Sequence, residues 1–164
     1  MSRFYSQRLG AQDRSAFRSG NARIDRYFHA AVSQDVKRDY AACYVLMEKG
    51  AERLAGFYTL SSSNVPLSDI PAEFARKLPR YPSVPAVLIG WLARDAAFEG
   101  QGVGPMLLYD AIARVLASPV GAHAIFADAI DDAAAAFYRR HRFTPLASRP
   151  MTLFLPLSTA RRLI

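Results

Sequence analysis

Glu99-Gly100-Gln101-Gly102-Val103-Gly104 constrains this chain more than any other stretch. An apolar run, Val84 to Ala93, leads into it, and a second, Met106 to Leu116, leaves it. Alternate glycines therefore join a strand to a helix. With no Cβ atoms, the backbone N–H groups of such a loop can close around an anion. The positive end of the following helix points at the same place. A phosphate or pyrophosphate fits there, although the same glycines also suit an ordinary turn before a helix. A Walker loop is excluded, because Pro105-Met106 stand where Lys and Ser or Thr are required. The dinucleotide fingerprint is excluded too, since G-x-G-x-G departs from its frame and lies past the middle of the chain.

The 164 residues suit one domain, 1–164, with one sizeable core. With 51% hydrophobic and 21% charged residues, the chain is globular rather than disordered. Its net charge of +7, from 21 Lys and Arg against 14 Asp and Glu, favours an anionic partner: a phosphorylated cofactor, nucleic acid or both. The apolar runs break well short of the ~20 residues of a membrane span. The first residues, Met1 to Arg8, lack the apolar core of a signal peptide. A lone Cys43 excludes an internal disulfide and reads as a buried thiol of a cytoplasmic protein. His29, His123 and His141 lack ligand spacing, so no metal is expected.

Periodicity and punctuation give the order of elements. Phe4 to Leu9 reads as a strand. Asn21 caps a helix from Ala22 to about Asp39, in which Ile24, Tyr27, Phe28, Ala31, Val32 and Asp35 trace one face. Ala42 to Glu48 and Leu54 to Leu60 are strands joined through Lys49-Gly50. Ser61 to Asn64 with Pro66 break the pattern. A short helix over Pro71 to Lys77 precedes a connection held extended by Pro79, Pro82 and Pro85. Pro85 to Arg94 is the central strand, Pro105 to Ser118 a helix and Ala122 to Ile130 a strand. Asp132 to Arg140 is a helix and Met151 to Leu155 the last strand. The implied fold is α/β (α+β), a mixed sheet with helices on both faces.

Asp131 to Phe143 is the second informative segment. It opens with Asp131-Asp132 and closes with Arg139-Arg140-His141-Arg142, and both placements complement a helix dipole. Phe137 and Tyr138 are adjacent, about a quarter-turn apart, so they cannot share one core face. Tyr138 is either a core aromatic with its hydroxyl at the rim or a proton donor at the mouth of a ligand cleft.

The two segments, in this order and at this separation, resemble the Gcn5-related N-acetyltransferase (GNAT) superfamily. Glu99 to Gly104 is similar to its Q/R-x-x-G-x-G/A loop, and Asp131 to Phe143 to its N-x-x-A-x-x-[LF]-Y-x-x-x-G-F segment. Phe17 to Asn21, Ile24 to Phe28, Gly56 to Ser61, Pro85 to Asp95, Ala129 to Tyr138 and Leu153 to Pro156 resemble one branch of it. That branch comprises acetyltransferase toxins encoded beside ribbon-helix-helix antitoxins, and the resemblance covers nearly the whole length.

The resemblance implies a mostly antiparallel sheet with a splayed central strand pair, and acetyl-CoA as cofactor. Trp91, Leu92 and Ala93 would pair with its pantetheine arm, and Gly100, Gln101, Gly102, Val103 and Gly104 would hold its pyrophosphate. Asp131, standing at the family's Asn, joins the cofactor-binding set. Tyr138 takes the place of the tyrosine that protonates the departing thiolate. In the toxin branch the acceptor is the free α-amine of an aminoacyl-tRNA, and a homodimer has precedent. Arg76, Lys77, Arg80, Arg139, Arg140 and Arg142 are the candidate RNA contacts; each also suits a plain solvated surface. Glu99 stands where Gln or Arg is preferred, so it must point away from a phosphate or form a pair. Trp91 stands where the branch carries Arg. Arg142 replaces a Gly and must accept a left-handed conformation at a cost of ~1 kcal/mol.

Acetyl transfer needs a neutral amine, a polarised carbonyl and a protonated leaving group. The amine of an aminoacyl ester is much less basic than a Lys side chain, and no strong general base stands out in the motifs. A backbone N–H near Leu92 or Ala93 could hold the carbonyl oxygen. A GNAT enzyme acting on a small amine, peptide or protein amine is the alternative, and an inactive binding module a third. The intact glycines and Tyr138 speak against the last.

Overall fold

The computed structural model describes residues 2–164, with Met1 outside them. They form two compact units. One runs up to Ser61 and takes in Gly90–Ala111; the other is Ser62–Ile89 with Ile112–Ile164.

The first unit holds β1 (Phe4–Arg8) and β2 (Ala42–Glu48), antiparallel from Phe4↔Glu48 to Arg8↔Tyr44. It also holds most of β3 (Arg53–Pro66), antiparallel to β2 with a bulge beside Leu46 and Met47. Between β1 and β2 run α1 (Ala22–Arg26), a π turn (Tyr27–Ala31) and α2 (Val32–Lys37). Asn21 caps α1 as expected, its side chain accepting from the N–H groups of Arg23 and Ile24. The single helix to Asp39 expected from periodicity is instead broken by the π turn. Arg14 Nη1 donates to the Phe28 carbonyl at 2.9 Å, while the Val32 N–H bonds back to the Tyr27 carbonyl. A guanidinium far away in sequence thus occupies an acceptor of the helical ladder. Ile24, Phe28 and Val32 are still buried, and Phe28 stacks on Phe57 at 4.0 Å.

Polar Ser61 to Asn64 do not end β3, which continues to Pro66 with alternating exposure. A strand with one wet face needs no apolar run, so its extent follows from pairing and not from propensity.

The second unit is built on Val65, Ile70, Val84, Ala86, Ala124, Phe126, Leu146 and Phe154. β4 (Ser83–Arg94) starts before Pro85, and its register with parallel β5 (Ala124–Asp128) runs only from Ala86↔Ala124 to Ile89↔Ala127. Beyond Ile89, β4 has no partner in β5, which is the splay expected of the central pair. The helix expected over Pro71 to Lys77 shrinks to α3 (Ala72–Ala75). The next helix, α4 (Val103–Ala117), starts two residues before Pro105, and α5 (Asp132–Arg140) has the expected bounds. β6 (Thr144–Pro145) and α6 (Leu157–Ala160) were not legible in the pattern, and β7 (Thr152–Pro156) begins after Met151. The hydrogen-bonded strand order is β1-β2-β3-β4-β5-β7-β6. No helix among the described residues is long and apolar enough to cross a membrane. Cys43 is fully buried, and desolvation pushes its thiol up to about 12.

Arg142 has φ of 73°, the left-handed value its sequence context required. It closes α5: the Arg142 N–H bonds to the Arg139 carbonyl and the Phe143 N–H to the Tyr138 carbonyl. Arg142→Gly should therefore stabilise the protein by up to about 1 kcal/mol. A melting temperature raised by roughly 2–4 °C would register this; a lower one would show that the Arg142 side chain contributes more than its backbone costs.

Candidate active site

Two short side-chain bonds shape the entry to the glycine loop. Asp95 is buried, and its carboxylate accepts from the N–H groups of Ala97 (2.8 Å) and Arg18 (3.0 Å). This caps the turn Ala96–Phe98, whose Phe98 is buried beneath the guanidiniums of Arg3 and Arg53. Gly100 and Gly102 both have φ of +75°, so only glycine follows this path without strain. The N–H groups of Gly100, Gly102, Val103 and Gly104 have no acceptor among the described residues. They sit at the positive end of α4, and a Cβ at Gly100 or Gly102 would meet nothing within 4 Å. The chain itself therefore does not crowd either position. What the glycines preserve is a conformation and an open space, which suits an anion held by backbone donors. Gln101 extends outward, accepting from Arg3 Nη1 at 2.5 Å. Of the two expectations for Glu99 it meets the second: it is 79% exposed and pairs with Arg94, its Oε1 3.9 Å from Arg94 Nη2.

A different glycine seats α4. A Cβ on Gly56 would lie 2.7 Å from Leu107 Cδ1 and 2.8 Å from the Ala93 carbonyl oxygen. Bare backbone at this point lets the helix close on the sheet, which fixes where its N-terminus opens.

Along the end of β4, the backbone divides by parity. Trp91 donates its N–H to Thr59 Oγ1 at 3.1 Å, and Asp95 donates to the Ala55 carbonyl at 2.8 Å. Both partners belong to β3. Alternation therefore turns the Leu92 N–H and C=O to the opposite, unpaired edge. Of Trp91, Leu92 and Ala93, only Leu92 turns its backbone to that edge. The Trp91 side chain instead stacks on Tyr27 at 4.3 Å with Arg23 5.6 Å from its ring centre. Tyr27 Oη donates to Asp35 Oδ2 at 2.8 Å. Burial and this carboxylate push the Tyr27 hydroxyl pKa up. Thr59 and Tyr27 lie in segments that resemble the toxin branch, but nothing in the sequence assigned them these contacts with Trp91.

Tyr138 lies within α5 and is buried, while its neighbour Phe137 is half-buried, as their angular separation required. Its ring packs 5.1 Å from Phe143, the apolar contact that accompanies the left-handed helix end. The Tyr138 hydroxyl has no hydrogen-bond partner among the described residues, yet it is not sealed from solvent. Burial first, and the Asp128 charge second, push its pKa up, so the hydroxyl keeps its proton. Asp131 accepts from the Ala134 N–H at 2.8 Å and so caps α5.

Arg76, Lys77 and Arg80 are exposed at and beyond the end of α3, whose Phe74 and Ala75 pack on the second unit's core. Arg139, Arg140 and Arg142 are exposed together at the end of α5. None of the six forms an ion pair among the described residues.

The acetyltransferase (GNAT) family model matches residues 11–143, which takes in both segments singled out above. A tRNA-acetylating toxin of Mycobacterium tuberculosis is 35% identical over 156 residues, covering 94% of this chain and 92% of the relative. Among solved structures, a KacT variant superposes with a TM-score of 0.91 at 26% identity, covering 99% of this chain and 100% of its own. AtaT complexed with acetyl-methionyl-tRNAfMet gives 0.87 at 26% identity, with 98% of each chain covered. The match spans the glycine loop and the tyrosine helix alike, and the chain belongs to the GNAT family of acetyltransferases.

Proposed function

We propose that this protein transfers acetyl from acetyl-CoA to the α-amine of an aminoacyl-tRNA and so acts as a toxin of translation. The likeness to a tRNA-acetylating toxin along nearly the whole of both chains carries the reading. The glycine loop fits such a cofactor on its own terms. It presents unclaimed backbone donors, open space at Gly100 and Gly102, and the positive end of α4. Acetyl-CoA supplies an acetyl group activated as a thioester.

Gly100, Gly102, Val103 and Gly104 would hold the pyrophosphate through their N–H groups. The Leu92 N–H, left free by strand alternation, would offer a donor to the acetyl carbonyl oxygen and to negative charge developing on it. Tyr138 Oη keeps its proton throughout the working pH range and would be the proton source for the leaving sulfur. The acceptor amine is weakly basic, so the chain needs no strong base to receive its proton, and positioning supplies most of the rate. Arg76, Lys77, Arg80, Arg139, Arg140 and Arg142, unpaired with acids, bind RNA phosphates. Residues 1–164 work as one catalytic domain in the cytoplasm, as a homodimer. A cell that makes such an enzyme needs a partner to block it, here a ribbon-helix-helix antitoxin.

Incubation with labelled acetyl-CoA and charged tRNA should yield N-acetyl-aminoacyl-tRNA, with uncharged tRNA untouched for want of an amine. Reversing Arg139 and Arg140 to Glu should depress this reaction far more than turnover of a small amine, and added salt should weaken it steeply. If charged tRNA of every amino-acid type stays unmodified while a small amine or peptide reacts well, the acceptor assignment is wrong.

A further inference from the structure

Arg94 sits at the end of β4 with its charge poorly matched. Its Nε is buried and has no hydrogen-bond partner among the described residues. Among the described residues its only acid is Glu99, at 3.9 Å from Nη2, the outer limit of an ion pair. Glu99 is 79% exposed, so water screens that contact and it holds Arg94 weakly. A buried donor left without an acceptor calls for a physical account, and a group from outside the chain that engages the guanidinium is one.

Position says what that is. Trp91 stacks its side chain on Tyr27, and Asp95 accepts from the Arg18 N–H. Arg94 alternates with both, so its side chain leaves the opposite face of the strand. There it reaches Glu99, the residue immediately before Gly100. Glu99, the acid it reaches, stands four residues before Val103, the first residue of α4, and that end of the helix is also positive. The backbone donors of the loop and the guanidinium are thus two positive features, and the exposed carboxylate of Glu99 meets the guanidinium only at 3.9 Å. A bridging anion would satisfy both at once, and a guanidinium matches phosphate oxygens with two parallel donors.

We propose that Arg94 is a cofactor-binding residue that takes the CoA pyrophosphate, and that Glu99 is an internal stand-in for that phosphate, displaced when it binds. The assignment rests on the acetyl-CoA reading above. It also explains how an acid can sit beside a phosphate loop: Glu99 holds the guanidinium near the loop until the ligand arrives.

Calorimetric titration of CoA and of 3′-dephospho-CoA into the full chain tests this. Arg94→Met, which keeps the apolar stem, should weaken both ligands roughly tenfold or more. Arg94→Lys, which keeps the charge but not the fork, should fall between Arg94→Met and the parent. Glu99→Gln should tighten both ligands. The ligand-free melting temperature of Arg94→Met should equal or exceed the parent's, because an unsatisfied donor has been removed; a merely structural arginine would lower it. A parent protein that binds neither ligand sinks the acetyl-CoA reading itself. A parent that binds, with Arg94→Met binding equally well, overturns this assignment alone. So does a loss that vanishes with 3′-dephospho-CoA, which would place Arg94 on the 3′-phosphate. Should Arg94→Met fail to fold, parental affinity in Arg94→Lys together with no gain in Glu99→Gln would overturn it equally.

Discussion

Tyr138→Phe is expected to slow acetyl transfer by roughly 10²-fold or more, the range for one positioned acid, while the affinity for acetyl-CoA stays at the parental value. The hydroxyl finds no partner among the described residues, so its removal leaves no bond broken. The melting temperature should accordingly hold or rise, because the ring still packs on Phe143. The combination matters: a tyrosine that only filled the core would leave the rate alone. The upward pKa shift, from burial and Asp128, gives the pH dependence. With its pKa raised above the ordinary ~10, Tyr138 stays protonated across neutral and mildly alkaline pH. No loss of rate from tyrosine ionisation should appear there. Transfer at the parental rate in Tyr138→Phe would assign the proton to another donor.

Gly102→Glu should abolish measurable acetyl-CoA binding in a protein that still folds. The reason differs from simple crowding, since a Cβ at this position meets nothing within 4 Å. Two effects combine instead. A non-glycine residue at φ of +75° is strained by ~1–2 kcal/mol, which tilts the loop away from this path. The added carboxylate then occupies the space that an anion needs and repels it. Gly102→Ala separates the two, carrying the strain without the charge, and should bind with an intermediate affinity. Unchanged calorimetric binding by a folded Gly102→Glu would remove the phosphate role from this loop.

The sequence made the glycine loop and the tyrosine helix legible because both obey local rules. Alternate glycines between a strand and a helix need no tertiary context to read. Nor does α5, whose acids, alanines and arginines sit where a helix dipole wants them, and its bounds were those expected. The Asn21 cap and the buried Cys43 were readable for similar reasons. Arg142 came from the resemblance instead: it stands at the family's Gly, which implied a left-handed helix end, and its φ is 73°.

What escaped depends on groups distant in sequence. Arg14 draws the Phe28 carbonyl out of its ladder and inserts a π turn into a helix that periodicity alone reads as continuous. β3 runs through four polar residues because pairing supplies what apolar character does not. The choice of Leu92 over Trp91 and Ala93 came from Thr59 and Ala55, which claim one edge of β4 and fix the parity of the rest. The weak tie between Arg94 and Glu99 is equally invisible in a chain of letters. Sequence alone determined which backbone had to be bare, which helix carried the tyrosine and what charge surrounded it, since conformational preference and charge belong to the residues themselves. Only the tertiary structure decided which N–H groups, and which nitrogen of Arg94, were left without hydrogen-bond partners among the described residues, because satisfaction of a hydrogen bond depends on what the rest of the fold brings within about 3 Å.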